Sequence, residues 1–155
     1  MTTERLIFRA WEENDAADLF ALASDPQVGS EAGWPPHKSV EDSLQIIRNV
    51  LQTPETYALI RKEDNMLIGC AGLKMGKDSC SGKQDEPEIG YWIGRQFWGK
   101  GYATECLNYA RRIAIGQNCY KMMLLTGSKS NATLEFYRRA GYNSTDKTAF
   151  IHWLE

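Results

Sequence analysis

The sequence predicts an α/β (α+β) fold: a mixed, mostly antiparallel sheet of six or seven strands flanked by about four helices, in one domain over residues 1–155. Three observations carry this. Two-residue and 3.6-residue periodicities succeed one another in the order β-α-α-β-β-β-α-β-α-β-β. The run from Ile89–Ile93 through a long helical pattern to Tyr120–Thr126 is a β-α-β unit, so those two strands should run parallel. Short turns join the other neighbouring strands, which should therefore pair antiparallel.

Arg5 to Trp11 alternates Leu6, Phe8 and Ala10 against Arg5, Ile7 and Arg9, as a first strand requires. Asn14 or Asp15 can cap a helix carrying Leu19, Phe20 and Leu22, which stops before Pro26. Gly29, Gly33 and the Pro35-Pro36 pair mark Val28–Lys38 as a loop. Ser39, with Asp42 three residues on, caps a second helix whose apolar positions are Val40, Leu44, Ile47, Val50 and Leu51. Thr56–Arg61 and Met66–Met75 read as a hairpin around Asp64-Asn65, and polar Gly76–Pro87 as a mobile loop. A helix follows from Tyr102 with the stripe Ala103, Cys106, Leu107, Ala110, Ile113 and Ala114. A last helix spans Asn131–Ala140 and stops at Gly141; Tyr142–Leu154 should supply two strands broken near Asp146.

Composition narrows the function. With 43% hydrophobic and 25% charged residues, 155 residues bury one core without staples. A net charge of −2 provides no basic field for nucleic acid. No apolar run approaches the ~20 residues of a membrane span, and Met1–Arg5 does not open a signal peptide. Cys70, Cys80, Cys106 and Cys119 form no C-x-x-C pair and read as free thiols of a cytoplasmic protein. The histidines, His37 and His152, lack a zinc pattern, and no G-x-S-x-G elbow supports a serine triad. No metal is expected.

The chemistry concentrates in Glu88–Glu105, E-I-G-Y-W-I-G-R-Q-F-W-G-K-G-Y-A-T-E. A strand, a turn with Gly99 and Gly101, and a helix N-terminus together build an anion site. Small residues let backbone N–H groups approach a phosphate, and the helix end adds partial positive charge. The reading is a pyrophosphate cradle. The full G-x-x-x-x-G-K-S/T phosphate loop is absent, which disfavours other nucleotide-binding domains.

From Glu4-Arg5-Leu6-Ile7-Phe8-Arg9-Ala10-Trp11 to Arg138-Arg139-Ala140-Gly141-Tyr142, the chain resembles the GNAT superfamily of N-acetyltransferases. Gly90-Tyr91-Trp92-Ile93 and Trp98-Gly99-Lys100-Gly101-Tyr102-Ala103-Thr104-Glu105 resemble the branch of ribosomal-protein N-terminal (alanine/serine) acetyltransferases. On the superfamily pattern Q/R-x-x-G-x-G/A, Trp98 stands where Gln or Arg is usual. The resemblance implies acetyl-CoA as acetyl donor, with the backbone of Tyr91, Trp92 and Ile93 along its pantetheine arm. Gly99, Lys100, Gly101, Tyr102, Ala103 and Thr104 would surround its pyrophosphate. The parallel strands would splay to admit the arm, and Asn131 or Ser130 would contact it. Asn131 read from the residues alone is a helix N-cap.

The same resemblance points to Phe136-Tyr137-Arg138-Arg139-Ala140-Gly141-Tyr142 and makes Tyr137 the acid for the leaving thiolate. A thiol titrates near ~8.5 and a phenol near ~10, so full transfer is uphill by roughly 2 kcal/mol. Tyr137 therefore acts by hydrogen-bonding the sulfur or under a lowered pKa; otherwise it is a core residue beside Leu134. Glu88 is the candidate base, directly or through water, or else a strand-end carboxylate. The Trp34-Pro35-Pro36-His37 loop resembles one bordering the acceptor site, with Trp34 shaping the pocket and His37 contacting substrate or aiding proton removal, or else anchoring the loop. Asp78, Asp85 and Glu86 can attract a cationic amine or simply solvate a loop. The expected activity is acetyl transfer to a primary amine, a peptide N-terminus or a small molecule, by a monomer or homodimer. A non-catalytic acyl-CoA-binding or sensing module is the alternative.

Overall fold

A computed structural model describes residues 1–148, 150 and 151. Four strands, β1 (Leu6–Arg9), β2 (Thr56–Arg61), β3 (Leu67–Lys74) and β4 (Glu88–Ile93), form one antiparallel sheet in the order β1-β2-β3-β4. Leu6 pairs with Arg61, Tyr57 with Ala71, and Lys74 with Glu88; the β2–β3 ladder slips once, between Leu59 and Ile60. The β2–β3 turn leaves Asn65 at φ 58, in the left-handed region Asn tolerates.

Among the described residues the sheet thus has four strands, where the sequence predicts six or seven. Tyr120–Thr126 forms one parallel bridge, Met123 to Glu88, with bonds from Ile89 N–H to Met123 O (2.9 Å) and from Met123 N–H to Pro87 O (2.8 Å). No ladder continues beyond it among the described residues. No strand forms over 142–148, where the Asn143 side chain takes two backbone donors. Its Oδ1 accepts from the amides of Thr145 (3.2 Å) and Asp146 (3.1 Å), a local turn that competes with a ladder. The rest of the expected final strands, Ala149 and His152 to Leu154, lies outside the described residues, as does Glu155.

Helices α1 (Ala16–Ala23), α2 (Pro26–Ala32), α3 (Val40–Ile46), α4 (Tyr102–Gly116) and α5 (Asn131–Arg139) make five among the described residues, against an expected four or so. The addition is α2, inside the stretch expected to be loop. Asp25 caps it through Gln27 N–H (2.9 Å), Pro26 occupies its first turn, and Gly33 ends it at φ 83. Proline at a helix start loses no needed donor, so Pro26 opens a helix as well as closing the previous one. Ser39 caps α3 as expected, accepting from Asp42 N–H (3.0 Å). A π-helical turn, Ile47–Leu51, extends α3 and buries Ile47.

Ile89 and Trp92 have opposite parity on β4 and therefore face opposite sides of the sheet. Ile89 packs against Leu107 and Ala110 of α4, whereas Trp92 meets Trp34 just after α2, their rings 5.8 Å apart. Phe8 of β1 stacks on Tyr109 of α4, with ring centroids 4.2 Å apart. The sheet is thus sandwiched, with Leu6, Leu19, Ile47, Leu59 and Ile68 fully buried. No helix among the described residues is long and apolar enough to cross a membrane.

Candidate active site

Past Ile89, β4 and the segment after Met123 share no ladder bond among the described residues, and a cleft of about 990 Å³ opens there. Tyr91, Trp92 and Glu88 of β4, Leu124–Thr126, Tyr137 of α5 and Trp34 line it. Five of the expected site residues therefore share one space. Asn131 does not line it. Ser130, not Asn131, is the N-cap of α5, accepting from Thr133 N–H at 3.1 Å, and Asn131 is exposed in the first turn.

Beyond β4, Trp98 Nε1 donates to the Ile93 carbonyl (2.7 Å), folding the chain back before the glycine turn. Gly99 and Gly101 sit at φ 71 and 83, where side-chain-bearing residues are strained. The first α4 amide bonded to this turn is Glu105 N–H, to Gly101 O at 3.1 Å. The amides of Tyr102, Ala103 and Thr104 therefore precede the helix's own hydrogen-bond ladder. A glycine-lined turn with free amides fits a pyrophosphate, and this is where acetyl-CoA's diphosphate would be held. Any Cβ at Gly101 would come to 3.3 Å from Arg5 Nη2.

Tyr137 Oη lies 3.1 Å from Tyr91 Oη. Burial, reinforced by the Tyr137 hydrogen bond, pushes the Tyr91 phenol far above its ordinary value, so Tyr91 stays protonated. Tyr142 stacks edge-on to Tyr137 at 6.3 Å, and burial pushes its phenol up to about 12. Glu88 Oε2 accepts from Cys80 N–H (3.1 Å) and Oε1 lies 3.7 Å from Lys74 Nζ. His37 does not line the cleft. It sits beside Trp34 with Nδ1 2.8 Å from Ser43 Oγ, and burial, opposed by Asp42, holds its pKa below the ordinary value.

The cleft wall is acidic. Among the described residues, Glu31, Glu55, Asp78 and Glu88 line it against one cation, Lys74. Of the loop carboxylates ahead of Glu88, Asp78 lines the cleft and Glu86 does not. Glu86 is buried and paired with Lys121 (2.9 Å) and Lys83 (3.0 Å), which hold its carboxyl below the usual range. Asp85 contributes its carbonyl, which accepts from Tyr120 N–H at 2.7 Å. Glu31 escaped the sequence reading because α2 did. Glu55 had only its left-handed backbone, φ 57, to mark it, which one sequence does not display.

Residues 5–143 match the acetyltransferase (GNAT) domain family. The chain belongs to this family. Among curated GNAT relatives, an uncharacterised N-acetyltransferase p20 from Bacillus licheniformis is 36% identical over 110 residues, covering 68% of this chain and 60% of that protein. The match thus spans about 60% of that relative's length. Among solved structures, spermidine N-acetyltransferase from Vibrio cholerae, in complex with CoA and spermine, superposes with TM-score 0.70 at 18% identity, over 90% of this chain and 81% of that one. A candidate ribosomal-protein-serine acetyltransferase from Vibrio cholerae gives 0.72 at 17% identity, over 90% and 80%. At these identities the likeness shows the GNAT fold alone.

Proposed function

We propose that the chain catalyses acetyl transfer from acetyl-CoA to a primary amine, by direct attack of the amine on the thioester. The observation that carries this is the shared cleft. Tyr137 lines it together with Glu88, Tyr91 and Trp92 of β4 and with Trp34, and the glycine turn follows β4 along the chain. Acetyl-CoA supplies the activated acyl group. Tyr91, Trp92 and Ile93 orient the pantetheine arm, and Gly99–Thr104 hold the pyrophosphate. Tyr137 gives a hydrogen bond or proton to the departing sulfur. Glu88 takes the amine proton directly or through water. Trp34 borders the acceptor; His37 acts through Trp34 and Ser43. Cys70, the thiol in the cleft wall, is pushed up to about 12 by burial, so it is no nucleophile at neutral pH. That supports direct attack over an acyl-enzyme.

For the acceptor we favour a peptide N-terminus. The branch motifs support it, and an α-amine near ~8 gives up its proton at pH 7 for about 1.4 kcal/mol, against roughly 4.6 for a lysine-like amine. The four cleft carboxylates favour a second reading, a small polycationic amine, since an acidic, low-dielectric wall concentrates cations. Incubation with acetyl-CoA and a panel of N-terminal peptides, polyamines and aminoglycosides, following thiol release, tests both. Turnover only with peptides supports the first reading and only with polyamines the second. CoA binding without turnover on any acceptor would identify a sensing module instead.

A further inference from the structure

Arg5 precedes Lys100 by 95 residues, yet its side chain reaches the phosphate cradle. Nη1 donates to the Lys100 carbonyl (2.8 Å), and Nε donates to Glu105 Oε2 (2.9 Å). The Arg5 amide donates to Glu105 Oε1 (2.8 Å), which also accepts from the Thr3 hydroxyl. The guanidinium lies 4.5 Å from the centroid of the Tyr102 ring. One side chain therefore grips three points of the turn and the first turn of α4: Lys100, Tyr102 and Glu105.

The consequence follows from peptide geometry. A trans peptide points its C=O and N–H in opposite directions. Pinning the Lys100 carbonyl towards Arg5 turns the Gly101 N–H away from Arg5, onto the open side of the turn. Gly101, at φ 83, can flip this peptide readily, so the turn needs an external restraint. Trp98 cannot supply it from the motif position, because its indole N–H is committed to Ile93 O at 2.7 Å.

We propose that Arg5, anchored by Glu105, is a positioning residue for the phosphate cradle: it fixes the Lys100–Gly101 peptide so that the Gly101 amide faces the diphosphate of the acyl-CoA donor. The proposal rests on the cradle reading given above. Glu105 neutralises the guanidinium, so the contribution is orientation rather than charge.

Calorimetric titration of CoA separates the two claims. Gly101→Glu tests the cradle; unchanged CoA affinity would mean the cradle lies elsewhere. Given that loss, Arg5→Met, which keeps an apolar stem on Tyr102, should raise the Kd for CoA about tenfold and raise KM for acetyl-CoA in parallel. Arg5→Lys should lose nearly as much, because an ammonium cannot fork between Lys100 O and Glu105. The kcat at saturating acetyl-CoA should hold, as should kcat/KM for S-acetylpantetheine, which carries no diphosphate. A CoA Kd within twofold of the parent in either variant overturns the role of Arg5. So does an equal loss for S-acetylpantetheine, which would mark general destabilisation.

Discussion

In the proposed reaction, Tyr137 and Tyr91 would divide one function between two hydroxyls. With Tyr137 as the proposed acid, the 3.1 Å contact would let Tyr91, kept protonated by burial, donate to Tyr137 as negative charge develops there. That offsets part of the roughly 2 kcal/mol by which a phenol is a weaker acid than a thiol. Tyr137→Phe should lower kcat by on the order of 10²-fold, the lower range for general acid catalysis, with little change in KM for acetyl-CoA. Steady-state thiol release measures both. An unaltered kcat would remove Tyr137 from the chemistry. Tyr91→Phe should reduce kcat severalfold in the parent and have no effect in the Tyr137→Phe background; equal effects in both would show that the hydroxyls do not cooperate.

Among the elements, α2 supplies Glu31 to the cleft lining and leads into Trp34, the border of the proposed acceptor site. Its Asp25 cap also lies 3.8 Å from Arg95, on the connection between β4 and the glycine turn. Asp25→Ala should cost about 1 kcal/mol of stability. It should also raise KM for the amine more than KM for acetyl-CoA. Denaturant unfolding and two-substrate kinetics give the two numbers, and equal effects on both KM values would dissociate α2 from the acceptor side. The signals for α2 stand in the sequence, as Asp25-Pro26 and a terminal Gly33, but Pro26 also marks the end of the preceding helix. The hairpin around Asp64-Asn65, the Ser39 cap and the α4 start at Tyr102 were legible because each is decided by neighbours in sequence. The pairing of Arg5 with Glu105 and of Tyr91 with Tyr137 was not, since each joins residues 100 and 46 positions apart through the fold. The missing fifth strand has a similar origin: Tyr120–Thr126 has strand composition, but no partner ladder forms on it among the described residues.

Across the whole molecule, ionisable groups tie distant segments together, and the sign of each shift fixes how stability depends on pH. Glu86 joins the loop before β4 to Lys121, and Lys121 and Lys83 hold its carboxyl low. At Glu105 burial pushes the carboxyl up, but bonds from Thr3 and Arg5 outweigh it and leave it low, joining the N-terminus to α4. A depressed carboxyl contributes stability above its unfolded value, ordinarily 4.5, and loses it as pH falls through the folded value. His37 works in a higher window. Burial lowers it from 6.5, so the folded state resists a proton that the unfolded state accepts. Stability should therefore be full above pH 6.5 and fall as pH drops below it towards the folded value. Thermal melts between pH 4 and 8 should show a shallow decline starting near 6.5 and a steeper one below 4.5. His37→Gln should abolish the upper decline and leave the lower one intact. Persistence of the upper decline in that variant would assign it to another group.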